Sequence, residues 1–164
     1  MPLTRTRFWE ARPEPQDYHG PAAPGDFDLF LLARAAAPFQ WAVNDCCLFP
    51  ADAIEAFTGV DIAADFRGRY ACEVSAFQAI RCVTGKGEDP ATAVADAAEY
   101  CANKHGLPEW HAPLFARRGD LVVLRDGGRL IAGIIHLNGR HAISVGEKGL
   151  RRLPLSAIAR AWHV

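Results

Sequence analysis

The period of the sequence changes at Gly106, and that change does most to limit the folds open to the chain. Downstream of it, short apolar runs alternate with glycine-bearing turns, the pattern of strands joined by tight connections. Leu121 to Leu124 reads as a strand, Arg125-Asp126-Gly127-Gly128 as a turn, and Leu130 to Leu137 as a second strand. Asn138-Gly139 then predicts a two-residue hairpin turn, from which Arg140 to Val145 returns as a third strand. Glu147-Lys148-Gly149 is a further turn, Leu150 to Leu153 adds a strand, and Leu155 to Trp162 makes a short terminal helix or strand. Upstream, apolar residues recur at helical spacing. Phe27, Phe30 and Leu31 follow Asp26, a candidate N-cap, and Pro38 marks the end of that run. A second helix would carry Cys46, Cys47, Phe49, Ala53, Ile54 and Phe57 up to Gly59, with Pro50 bending its first turn. Two more are expected at 73–84 and 91–104, the latter opened by Pro90. Helices first and an antiparallel meander second define an α+β class.

A chain of 164 residues, half of them hydrophobic, can bury one core. Five of its eleven prolines fall in residues 1–25, which read as an extended arm preceding a single domain over 26–164. Lys and Arg total 18 against 19 Asp and Glu, so no basic excess exists to neutralise a phosphate backbone, and nucleic acid is not an expected partner. No apolar run is long enough to insert into a membrane. The first ten residues lack the apolar stretch of a signal peptide, which points to a protein folded in a reducing cytosol.

That compartment bears on the five cysteines, Cys46, Cys47, Cys72, Cys82 and Cys101. An odd number with no C-x-x-C spacing argues against a disulfide framework and matches no zinc motif. Cys72, Cys82 and Cys101 are expected to be small buried apolar residues. A cysteine-ligated metal or iron–sulfur centre is the weakest of the alternatives, and no cofactor is expected. Cys46 is different because Asn44-Asp45 precede it at the start of a helix. There the positive end of the helix dipole and free amide donors both favour a thiolate. A thiolate in that position is a candidate nucleophile, provided that an imidazole lies across from it.

The order of these features resembles the NlpC-type cell-wall cysteine peptidases of the papain-like fold. In that family Asp-Cys opens the nucleophile helix, and a Gly-Asp strand leads toward the catalytic histidine; Asp45-Cys46 and Gly119-Asp120 match these positions. More closely, the chain is similar to a branch encoded among tail genes of long-tailed bacteriophages and gene-transfer particles. The matching segments are Pro38-Phe39-Gln40-Trp41, Asn44-Asp45-Cys46, Arg67-Gly68-Arg69-Tyr70, Gly119-Asp120 and Ala161-Trp162. The resemblance implies a papain-like (NlpC-type) domain in the virion tail tip, assembled in the host cytoplasm beside other tail-tip or baseplate-hub proteins. It implies Cys46 as nucleophile and, for an active enzyme, peptidoglycan stem peptides as substrate.

One departure from the pattern weighs against activity. Ile131 stands where the family's histidine begins the strand after Gly-Asp, and Cys47 and Leu48 replace the Ser and Gly that follow the nucleophile. Loss of the base removes a contribution of roughly 10²–10⁴-fold. Substitute bases are sought among His136, His141, His105 and His111. A turn at Asn138-Gly139 sets His136 directly opposite His141, on the face away from Ile131 and hence away from the expected nucleophile. His105 and His111 flank a loop, and His19 and His163 are read as exposed. Asp120 is read as a structural carboxylate receiving turn amides, and Arg67, Arg69 and Tyr70 as a packing motif. The expected role is therefore structural, a module whose arm docks on a neighbour through Phe8, Trp9 and Tyr18. An active peptidase or amidase is the alternative.

Overall fold

In a computed structural model describing residues 3–13 and 23–164, the change of grammar at Gly106 separates four helices from a five-stranded sheet. The helices are α1 (Asp26–Arg34), α2 (Leu48–Thr58), α3 (Glu73–Thr84) and α4 (Ala93–Lys104). After the short pair β1 (Ala11–Arg12) and β2 (Ala23–Pro24), the main strands are β3 (Leu121–Asp126), β4 (Arg129–Ile135), β5 (His141–Gly146), β6 (Gly149–Pro154) and β7 (Ile158–Trp162). They are antiparallel in the order β6-β5-β4-β3-β7. The α+β class is as the periodicity predicts. Leu155 to Trp162 resolves into both candidates, a single 3-10 turn at Leu155–Ala157 followed by β7.

Strand alternation makes two apolar faces. Leu121, Val123, Ile134, Ile143 and Val145 face the helices and pack with Phe49, Ile54, Phe57 and Cys101 in the main core. Val122, Leu124, Ile135 and Ala142 point the other way and are buried under Trp110, Ala116, Leu155 and Ala157. Burial on both faces explains why these strands read as continuous apolar runs rather than alternating ones. Gly133 is required where β4 approaches β5, since a Cβ there would lie 2.4 Å from the Ile143 carbonyl oxygen.

Three local departures follow from hydrogen bonding. The β4–β5 connection is a four-residue loop rather than a two-residue turn. Its closing bond runs from the His136 amide to the His141 carbonyl at 3.0 Å, and Gly139 donates back to His136. The Asn138 carboxamide oxygen accepts the Arg140 amide, which opens the turn by one residue on each side while keeping His136 opposite His141. Second, α2 starts at Leu48, so Cys46 and Cys47 lie in the preceding turn, and Pro50 becomes the third helical residue, where no intrahelical donor is needed. Third, α4 begins at Ala93, because Asp89 and not Pro90 organises its entry, accepting the Ala91 amide on its side chain and the Ala93 amide on its carbonyl.

The expected extended arm is, over residues 3–13, a strap packed on the domain. The Thr6 amide donates to the Phe57 carbonyl, and the Asp26 and Phe27 amides donate to the carbonyls of Phe8 and Trp9. At Gly25 a Cβ would lie 2.4 Å from the backbone of Glu10, so glycine permits this crossing. Trp9 packs at a tilt 5.7 Å from Phe57 with the Arg5 guanidinium 4.2 Å from its ring centre, and the half-buried Phe8 lies beneath Arg7. Trp9 is thus an anchor within the chain rather than a free side chain awaiting a partner. Tyr18 and His19 lie outside the described residues. Among those described, no helix is long and apolar enough to cross a membrane.

Candidate functional site

The segment 40–48 is folded around the carboxylate of Asp45. Gln40 and Asn44 exchange backbone hydrogen bonds across a tight loop, which forces Ala42 into the left-handed region at φ +63°. In that conformation the Ala42 amide donates to Asp45 Oδ2 at 2.9 Å, while the Cys47 and Leu48 amides donate to Oδ1 at 3.0 and 2.9 Å. Tyr70 completes the set by donating to Oδ2 at 2.6 Å. Asp45 is only 1% exposed, and these four donors are what make a buried carboxylate tolerable. It also satisfies two free amides at the start of α2, the chemistry of an N-cap. Burial and the Asp45 charge push the Tyr70 phenol far above its ordinary range, so it remains a donor.

Cys46 follows directly, half-buried at this turn. A hydrogen bond from the Cys47 thiol lowers its pKa against burial and the Asp45 charge, and the Ala132 backbone amide adds to the lowering. The Cys47 thiol is driven the opposite way, because it donates to Cys46 and is desolvated. The lowering thus comes from the Cys47 thiol and the Ala132 amide rather than from the helix start and free amides expected, since α2 begins only at Leu48 and the Cys47 and Leu48 amides are taken by Asp45. The β4–β5 ladder explains the reach of Ala132, since pairing is confined to Ile134 with Ile143 and Ile135 with Ala142. The Ala132 carbonyl instead accepts the buried Ser144 hydroxyl at 2.7 Å.

An imidazole is missing from these surroundings. The strand position facing Cys46 is Ala132, whereas Ile131 belongs to the cluster on the opposite face of the sheet. The alignment that put Ile131 at the base position is thus one residue out in orientation. His136 and His141 do stack as a pair, with ring centroids 4.7 Å apart, on the helix-side face of Ala132 rather than the opposite one expected, but at the far end of the sheet. His136 borders a depression beside α1 with Asp28, Leu32 and Arg152. His105 is the C-terminal cap of α4 near Asp61 and Asp65, and His111 is exposed in the loop before β3. None of the four is brought to the thiol.

Behind the turn lies a small cavity of about 50 Å³, enclosed by α2, α3, α4 and the start of the sheet. Cys47 and Cys101 both face it, along with Trp41, Tyr70 and a wall of alanines. Burial pushes the Cys101 thiol up to about 12, marking it as inert. Cys101 is buried as expected, but Cys72 and Cys82 are exposed, Cys72 because it occupies the N-cap position of α3 beside Ser75. Among the described residues no group of three or more His, Cys, Asp or Glu side chains is placed to hold a metal ion.

A second buried carboxylate, Asp120, sits at the entry to β3 with no exposed surface. It accepts the Arg117 amide and the Trp110 indole on Oδ2, both at 2.8 Å, and Arg5 and the Val164 amide on Oδ1. His163 Nδ1 lies 3.0 Å from the same Oδ1. The turn-amide reading of Asp120 holds, and the partners beyond it could not be read locally: Arg5 is 115 residues away in sequence. His163 keeps a half-exposed ring but is tied down at this carboxylate. Arg67 likewise has a packing role, bridging Asp52 and Asp61, while Arg34 joins Asp52 to Asn44.

The chain belongs to the family described as Domain of unknown function (DUF6950), whose model matches residues 24–164. No curated protein and no solved structure matches the chain. The matched region contains both buried carboxylates and the Cys46 turn, and it begins after the strap that supplies Arg5.

Proposed function

We propose that this chain is a non-hydrolytic docking module of papain-like, NlpC-type architecture, working in the tail tip of a long-tailed bacteriophage or gene-transfer particle. The order of elements supports the architecture: a cysteine turn opening α2, two further helices, then an antiparallel meander entered through Gly119-Asp120. The tail-tip setting rests on the sequence resemblance, with other tail-tip or baseplate-hub proteins as partners. The observation that carries the non-hydrolytic reading is the surroundings of Cys46. Its thiol is offered amides and a neighbouring thiol, while the strand position across from it is Ala132. Without an imidazole to shuttle protons, the attacking thiolate has no partner to protonate the leaving amine.

The thiolate-favouring turn supports a second reading, a cysteine peptidase or amidase that acts on peptidoglycan stem peptides with a base supplied by a bound partner. One experiment decides between them. A tail-gene deletion is complemented with the native chain and with Cys46→Ser, and the purified chain is incubated with peptidoglycan alone and with tail extract. The docking module predicts infectious particles from both genes and no Cys46-dependent release of peptides. Loss of infectivity with Cys46→Ser, together with Cys46-dependent cleavage, would establish the hydrolase instead. Particles that form normally without the gene would remove the tail-tip role. Truncation of the first 25 residues is a poor substitute, because it also strips Arg5 from Asp120.

A further inference from the structure

The roof over the outer sheet face carries an unusual combination of side chains. Leu114 and Phe115, adjacent on one 3-10 turn, are 68% and 60% exposed, and Arg117 and Arg118 follow after Ala116. Beside this turn runs an open groove of about 490 Å³ whose walls include Arg5, Trp9, Ala116, Arg117, Arg118 and Leu137. Two of its three guanidiniums are already matched, Arg5 by Asp120 at 3.0 Å and Arg118 by Glu10 at 2.7 Å. Arg117 lies 5.2 Å over the Trp110 ring, and among the described residues no carboxylate is within ion-pairing distance of it.

We infer that this groove and its apolar lip form the docking surface for an extended segment of a partner protein that bears one or two carboxylates next to an aromatic or aliphatic side chain. The charge arithmetic selects the occupant. Three guanidiniums against two carboxylates leave a single excess positive charge, enough for a carboxylate or two but too little to follow a polyphosphate strand. A carboxylate pairs with Arg117 through parallel hydrogen bonds. The neighbouring apolar side chain covers Leu114 and Phe115, whose exposure contributes nothing to folding and suits an interface anchor. The inference rests on the docking reading above and gives it a location: the roof at 114–118 together with the 137–139 loop, with Trp9 only a wall of the groove.

The test is a titration of the full ¹⁵N-labelled chain with an eight-residue peptide centred on Asp-Phe-Glu-Leu, followed by amide chemical shifts. The expected result is saturable shifts confined to residues 114–118, 137–140 and the strap around Arg5 and Trp9. Affinity should fall at least tenfold in Arg117→Glu, in Phe115→Ser, and when the peptide acids are replaced by their amides. Arg129→Glu, at the remote and exposed start of β4, should leave it unchanged. Arg117 and Phe115 are both exposed, so retention of the remaining amide spectrum verifies the fold. The inference is overturned by an absence of saturation at millimolar peptide, by shifts elsewhere, by binding insensitive to both variants, or by tighter binding of single-stranded oligothymidylate. None of these outcomes bears on whether Cys46 hydrolyses amides, so the two readings fail separately.

Discussion

Asp45 and Asp120 are both buried carboxylates at the entrance to a secondary-structure element, and both accept amides from their own turn. Their remaining partners differ in kind. Asp45 is surrounded by neutral donors, three backbone amides and a phenol, and lies beside a thiol. Asp120 holds a guanidinium, an indole and an imidazole, and lies beside no nucleophile. The components of a thiol hydrolase are therefore present but separated: the thiol turn has no imidazole, and the imidazole–carboxylate contact has no thiol. The Asp45 turn presents Cys46, whereas the Asp120 cluster fastens both ends of the described chain to the sheet, with Arg5 also donating to the Val164 carbonyl.

The sharpest way to break this comparison is to remove each carboxylate. Asp120→Ala strands Arg5 and frees the strap and the C-terminal residues together, and it should cost about 4 kcal/mol in urea unfolding, as expected when one partner of a buried ion pair is deleted. Amide exchange in residues 3–13 should accelerate in the same variant. Asp45→Ala leaves no cation uncompensated, and its freed amides border half-exposed cysteines, so a smaller loss of about 2–3 kcal/mol is expected. Equal losses would mean that the cation at Asp120 contributes nothing beyond its hydrogen bonds.

A narrower change sharpens the Asp45 side. Tyr70→Phe removes one of four donors and should lower stability by about 1.5 kcal/mol. It also leaves the carboxylate charge less quenched, and since that charge already opposes ionisation of Cys46, the thiol pKa should rise. Alkylation of Cys46 followed against pH, with each cysteine resolved by mass spectrometry, should show a midpoint higher than in the native chain. A midpoint that falls would contradict the assigned role of Asp45.

How much of this was legible in the sequence depended on how local the determining physics was. Strand alternation and helix periodicity act over a few residues, so the α+β order, the helix closed by Gly59 and the His136–His141 pairing could all be read directly. The four-residue loop escaped because Asn138 spends its side chain on the Arg140 amide, a choice the Asn-Gly pair does not encode. Trp9 was misassigned because its partner, Phe57, is distant in sequence, and a proline-rich composition said nothing of the Thr6–Phe57 hydrogen bond that pins the strap. The direction in which Ile131 points is a matter of sheet register, where one residue exchanges the faces. His163 at Asp120 had no sequence signal at all.

The smallest predicted effect concerns the imidazoles that neither carboxylate recruits. His141 is held below its ordinary pKa of 6.5 by burial, by His136 and by Arg152 on β6. The Asn138 carboxamide nitrogen donates to its Nδ1 at 3.3 Å, so protonation would put a hydrogen on the nitrogen that accepts that bond. Asp28 of α1 lines the same depression as His136. Because the folded pKa is depressed, the unfolded chain binds more protons in the window between the lowered value and 6.5. Stability is then fully retained above that window and falls as the pH drops through it. His105, lowered by burial and by Lys104, adds to the same slope. His141→Gln should therefore flatten, without abolishing, the fall in unfolding free energy between pH 7 and pH 5. Solvent screening at this partly exposed tip keeps its share to roughly 0.5 kcal/mol. An unchanged slope would mean that Asp28 compensates the charged ring after all, and that the stacked pair tolerates a proton as readily as it would in water.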